Sequence, residues 1–198
     1  MPKIVDKEKM MQLIISSALQ VFAKHGVNNA SMNNIAQEMG VAKGTLYRYF
    51  SSKEELIKNI TGLHFQKLEK RLIPENYFHT LEGFLLHIEQ ALLISEEDSI
   101  FIPVFFEIFG PSFSSSSFVN KYNDFFDVLA CHYSKNLQLL IDNGCIESNI
   151  NSKYLGRILV SMLDGIVLHK GFFKISNQSY RSMVKEAIEL FRRGLNHQ

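Results

Sequence analysis

Residues 31–60 read SMNNIAQEMGVAKGTLYRYFSSKEELIKNI, and the order of polar, apolar and glycine positions in them decides how the chain folds. The Ser31 hydroxyl can cap a helix start, and Ile35, Ala36 and Met39 follow at helical spacing. Gly40 ends that helix, because glycine adopts the left-handed conformation without a Cβ clash and lets the chain turn sharply. The chain restarts at Val41-Ala42, so two short helices stand a few residues apart, which is the grammar of a helix-turn-helix. The second helix, residues 43–50, keeps Leu46 and Phe50 for the core and shows Lys43, Thr45, Tyr47, Arg48 and Tyr49 on its remaining surface. Ser52-Lys53-Glu54-Glu55 then opens a third helix as an S-x-x-E capping box. Lys53 is out of place there. A cation in a first turn opposes the helix dipole unless an external anion is held by the free amides and the ammonium together.

The stretch resembles the DNA-binding segment of the TetR/AcrR (tetracycline-repressor) family of bacterial transcriptional regulators. Ile35-Ala36, Gly40-Val41, Lys43-Gly44-Thr45-Leu46-Tyr47, Tyr49-Phe50 and Ser52-Lys53-Glu54-Glu55-Leu56 carry the match, with Ala18, Phe22 and Gly26 in the preceding helix. The rest of the chain matches in layout only. The resemblance implies a homodimer that binds double-stranded DNA at a palindromic operator, responds to a small-molecule effector and uses no cofactor. The candidate DNA contacts are Ser31, Lys43, Gly44, Thr45, Tyr47, Arg48, Tyr49 and Lys53, with Arg48 standing where the family more commonly has a small, polar or aromatic residue. Tyr47, Tyr49 and Lys53 fall where the family touches phosphate, a task that hydroxyls and an ammonium perform without reading base identity. Gly44 lets backbone approach the groove, and the Arg48 fork fits the O6 and N7 atoms of a guanine.

Composition allows such a protein. With 198 residues the chain is long for one domain and short for two. We divide it into a helix-turn-helix domain at 1–51, a connecting helix at 52–72, and a ligand-binding and dimerisation domain at 73–198. Net charge is only +1, but residues 1–60 hold eight Lys or Arg against five Asp or Glu, and the remainder holds 13 against 15. Positive charge therefore collects where phosphate should bind. Cys131 and Cys145 lack paired spacing and read as reduced, buried residues. No signal peptide is visible, and no run approaches the ~18 apolar residues of a membrane span, so a cytoplasmic protein away from the membrane is expected.

Along the chain, apolar positions at helical spacing mark helices over 6–25, 52–72, 77–94, 99–109, 118–143, 153–173 and 179–195. With the two short ones, the chain is all-α with about nine helices. The last two helices look like half of an intermolecular four-helix bundle, with Leu159, Met162, Ile166, Val184, Ile188 and Phe191 at the dimer interface. Packing within one subunit is the alternative. Gly165, inside a helix, suggests the close approach of another helix or a ligand. Eight of the sixteen phenylalanines lie between 101 and 126. Among them Phe101, Phe105, Phe109, Phe125 and Phe126 are the candidate walls of an apolar effector pocket, or else core. Glu89, Glu107, Asp124 and Asp127 read as solvated helix residues, with contact to a cationic ligand in that pocket as the alternative. No metal site, catalytic motif or phosphate loop stands out among the seven histidines and the glycines, so an enzyme is not expected. A DNA-binding adaptor governed by a protein partner is the rival reading.

Overall fold

The computed structural model describes residues 7–114, 116–173 and 175–195; the side chains of residues 113, 117–119, 121 and 122, Phe113 and Phe118 among them, lie outside that description. The described residues form nine α-helices and no strand: α1 (Lys7–His25), α2 (Met32–Glu38), α3 (Lys43–Tyr47), α4 (Lys53–Leu72), α5 (Leu81–Leu92), α6 (Glu96–Phe109), α7 (Ser116–Asp142), α8 (Ser152–Phe172) and α9 (Asn177–Leu195), with a 3-10 turn at Gly110–Ser114. The expected helix start at Asp6 falls outside the described residues.

Packing groups these helices into two compact units, residues 1–67 with 96–111, and residues 68–95 with 112–198. Helix α6 thus belongs with the N-terminal helices, whereas the sequence division places it in the larger domain. The reason is its rings. Phe101 and Phe105 are buried, and Phe105 meets Phe65 of α4 edge-on at 5.9 Å. In this first unit α1 packs on both α2 and α6, and Ile14, Phe22, Ile35, Leu46, Phe50, Leu56 and Ile60 make the core.

In the second unit α7 packs along α8, and α5 packs on both α8 and α9. Gly156 lets α8 lie against α7: a Cβ there would stand 2.3 Å from Ser134 Oγ and 2.8 Å from the Ala130 carbonyl oxygen. Buried Asn136 donates to and accepts from the backbone of Phe78, at 3.4 and 2.9 Å, and so satisfies the segment before α5. That segment is not helical. Helix α5 starts four residues later than expected because Thr80 caps it, its Oγ1 accepting from the Gly83 amide at 3.2 Å. Helix α6 starts three residues earlier than expected and keeps Pro103 in its interior, and the 3-10 turn and the start of α7 replace much of the expected loop at 114–117. The cysteines correct the reading too: both are free, but Cys131 is exposed and Cys145 half-buried.

Candidate nucleic-acid interface

The turn between α2 and α3 is set by Gly40, whose φ of 65° only glycine adopts without strain. Its amide donates to the Gln37 carbonyl at 3.1 Å and the Val41 amide to the Ala36 carbonyl at 3.0 Å, the two bonds of a Schellman motif. At the other end of α2, Ser31 Oγ accepts from the Asn34 amide at 3.3 Å and Asn34 Oδ1 accepts from the Ser31 amide at 2.9 Å. This reciprocal cap with asparagine in the Glu/Gln place escapes a search for S-x-x-E. Ser31 is exposed.

Helix α3 is shorter than expected. It closes at Tyr47, and the Tyr49 and Phe50 amides both donate to the Leu46 carbonyl, at 2.9 and 3.0 Å, turning the chain inward to bury Phe50. Its surface is the one predicted. Lys43, Gly44, Tyr47 and Arg48 are exposed, Thr45 and Tyr49 half-buried, and Leu46 buried. Lys43 Nζ stands 5.5 Å over the Tyr47 ring one turn on. A Cβ on Gly44 would meet nothing within 4 Å, so the backbone there is open to an approaching group.

Lys53 is placed differently from its sequence reading. Its half-buried ammonium donates to the carbonyls of Val27 and Ala30, each at 3.0 Å, in the connection between α1 and α2. An ammonium has three donors, so one is left over from these two bonds. The expected capping box is also shifted: Ser52 Oγ accepts from the Glu55 amide at 3.1 Å, but the Glu55 carboxylate reaches the Ser51 amide at 2.6 Å, not that of Ser52. The Ser51 hydroxyl and amide hold the Glu55 carboxyl below its ordinary range.

A cleft of about 510 Å³ opens in the same unit. Its floor is Ile15 and Leu19 of α1, Ile60 of α4 and Phe101 of α6, and Lys9, Lys67, Glu97 and Asp98 bring charge to its lining. His64 stacks on Phe101 with centroids 3.7 Å apart and lies 3.8 Å from Asp98. Of the five phenylalanines proposed for an effector pocket, Phe101 lines this cleft. Phe105 and Phe109 continue its ring stack, 4.8 Å apart, while Phe125 and Phe126 belong to the second unit, packed against its core.

The second unit holds titratable groups that periodicity did not flag. Tyr133 is 0% exposed and its hydroxyl has no hydrogen-bond partner among the described residues, while the Tyr180 hydroxyl donates to the Leu92 carbonyl at 2.5 Å. Burial pushes the Tyr180 hydroxyl to about 12, the Tyr133 hydroxyl higher still, and the Asp164 carboxyl to about 7. Among the described residues no group of His, Cys, Asp or Glu could hold a metal ion, and no helix is long and apolar enough to cross a membrane.

The proposed dimer residues split. Leu159, Val184 and Ile188 are buried in the core of their own unit, so in a single chain they face inward. Met162, Ile166 and Phe191 are half-buried, and Tyr154, Ile158 and Leu190 are exposed, the last by 70%. A Cβ on Gly165 or Gly194 would meet nothing within 4 Å.

Comparison with known proteins agrees with this geometry. Residues 14–60 match the family model for bacterial regulatory proteins of the tetR family. The uncharacterized HTH-type transcriptional regulator YvdT of Bacillus subtilis (strain 168) is 26% identical over 155 residues, 76% of this chain and 77% of its own. The regulator YfiR of the same organism, likewise uncharacterized, is 25% identical over 178 residues, 87% and 86% of the two chains. A transcriptional regulator from Saccharomonospora viridis, solved in complex with choline, shares the fold with a TM-score of 0.68 at 17% identity over 96% of this chain and 100% of that one.

Proposed function

From membership of the TetR family of DNA-binding transcriptional regulators, to which this chain belongs, we propose that it is a repressor, released from a palindromic operator when a small apolar or aromatic effector binds. Its relatives are regulators and not enzymes. The observation that carries the reading is the surface of α3, where a short buried anchor, Leu46, leaves Lys43, Gly44, Tyr47 and Arg48 exposed together. Tyr47, Tyr49 and the third donor of Lys53 are assigned to phosphate, and Lys43, Thr45 and Arg48 to base edges or neighbouring phosphates; the Ser31 hydroxyl is not, because it already donates its one proton to Asn34 Oδ1. Such a head discriminates a genomic site only in pairs.

The homodimer face is proposed on the outer sides of α8 and α9, at Tyr154, Ile158, Met162, Ile166, Leu190 and Phe191. Bare Gly165 and Gly194 allow a partner helix to approach there closely. The effector seat is proposed beside Phe101, whose cleft has the volume of small-molecule sites. The cytoplasm is where its DNA would be met.

The test is sedimentation of the wild-type protein and of Ile158→Glu and Leu190→Glu, each with and without its own promoter fragment. The wild type is expected to be a dimer that binds the fragment, and the variants monomers that do not. Intact dimers in both variants would put the interface elsewhere.

A further inference from the structure

The connection between α1 and α2, residues 26–31, is held from two sides by side chains far away in sequence. From α4, Lys53 Nζ takes the carbonyls of Val27 and Ala30, as described above. From α6, Glu107 Oε1 accepts from the Asn28 amide at 3.2 Å. Gly26 makes room for that carboxylate: its φ is 79°, and a Cβ on it would stand 3.1 Å from the same Oε1. Val27 and Ala30 are buried, so the segment is anchored as well as bonded. It ends on Ser31, the cap of α2, and α2 in turn aims α3 through the Gly40 turn.

We propose that Glu107 is a positioning residue for DNA binding, a latch that ties α6 to the connection 26–31 and so fixes where α2 and α3 are presented. This rests on the reading of the protein as a repressor whose unliganded form binds DNA. The helix that carries Glu107 also carries Phe101, beside which the effector seat is proposed, and Phe105 and Phe109, which continue its ring stack. At 3.2 Å the bond lies toward the long end of N–H···O geometry, so a displacement of α6 that outruns the reach of the Glu107 side chain breaks it. Lys53 stays with α4. A shift of α6 against α4 therefore frees one side of the connection and leaves the other held, and the head loses its set orientation.

The experiment compares full-length wild type, Glu107→Ala and Glu107→Gln by fluorescence anisotropy on the promoter fragment, with Asn28 amide hydrogen exchange measured in parallel. Glutamine keeps the acceptor and loses the charge. The latch predicts that Glu107→Ala weakens operator binding about five- to tenfold, that Glu107→Gln restores most of it, and that the Asn28 amide exchanges about five times faster in the alanine variant. Wild-type affinity in Glu107→Ala, or equal weakening in both variants, would overturn it. Should the wild type itself fail to bind the fragment, the repressor reading fails separately. The Asn28 exchange then decides the latch alone: unchanged exchange in Glu107→Ala overturns it, and faster exchange upholds the bond.

Discussion

Helices α2 and α3 are seven and five residues long, and helices α7 and α8 are twenty-seven and twenty-one. Helices as short as the first pair are not stable on propensity, since nucleation costs more than so few backbone bonds return. Their ends hold them: the Ser31–Asn34 reciprocal cap, the Gly40 turn, and the Lys53 and Glu107 bonds to the connection before them. The long pair is held by faces, with Leu129, Tyr133, Leu137, Leu159, Val160 and Leu163 in one apolar cluster and Gly156 allowing close approach. The difference teaches that the reading head adds directional contacts at chain ends to a small buried core of Ile35, Leu46 and Phe50, while the second unit keeps its geometry mainly through area. A head built so is easy to reorient.

The largest expected effect is at the buried point of the head. Phe50→Ala should cost about 3–5 kcal/mol and abolish promoter binding. In urea, a signal from the head should be lost before the helicity of the second unit; coincident loss would break the distinction between the two units.

Next comes a group inside the second unit. The Asp164 carboxyl titrates near about 7 in the folded chain against 3.8 when unfolded, so the folded state holds the extra proton. Stability from this group is therefore undiminished below pH ~4 and declines as pH rises toward ~7, at most ~1.4 kcal/mol per pH unit. Asp164→Asn should remove that decline, raising stability at pH 8 by up to about 4 kcal/mol and leaving it nearly unchanged at pH 4. Parallel urea curves for both proteins across that range check it, and equal pH slopes would contradict it.

Two glycines on one helix separate contact within the subunit from contact with a partner. Gly156→Ala should cost about 1–3 kcal/mol, because its Cβ meets Ser134 and the Ala130 carbonyl. Gly165→Ala meets nothing in its own chain and should gain up to about 1 kcal/mol in helix propensity in the monomer, while weakening self-association if a partner helix lies there. Sedimentation at several concentrations reads the second effect; unchanged association would move the proposed interface away from Gly165.

The smallest effect is at the helix ends. Ser31 and Asn151 both cap through a third-residue amide, at 3.3 and 3.2 Å. Alanine at either should cost about 1 kcal/mol locally. Only Ser31→Ala should show it in amide exchange across its whole helix, because α2 is seven residues long against twenty-one in α8. Equal spreading in α8 from Asn151→Ala would contradict that.

Local chemistry was legible in the sequence. Gly40, the Ser31 cap, the buried Leu46 and Phe50 and the exposed face of α3 all follow from residues within a few positions of each other. What was missed depended on distant partners. The Lys53 ammonium finds carbonyls 23 and 26 residues away, which no local pattern encodes. Periodicity gave an apolar stripe to α8 and α9 but not the side that its own subunit covers, so Leu159, Val184 and Ile188 were offered to a partner although they are core. Asp164 and Tyr133 sit in apolar helices whose spacing says nothing of a half-buried carboxyl or a buried hydroxyl. Thr80 was the exception: a threonine before Leu81 is a readable cap, and the apolar run reaching back to Tyr77 concealed it.

The central claim is that α3 reads DNA. The most direct test is anisotropy of the labelled promoter fragment and a scrambled duplex with wild type and Arg48→Ala, repeated over a series of salt concentrations. The account predicts that the wild type prefers the promoter, that both affinities fall with salt, and that Arg48→Ala loses about 1–3 kcal/mol on the promoter with little change on the scrambled duplex. Equal loss on both duplexes would make Arg48 a phosphate contact. A wild-type protein that does not distinguish the two duplexes at any salt concentration would contradict the claim itself.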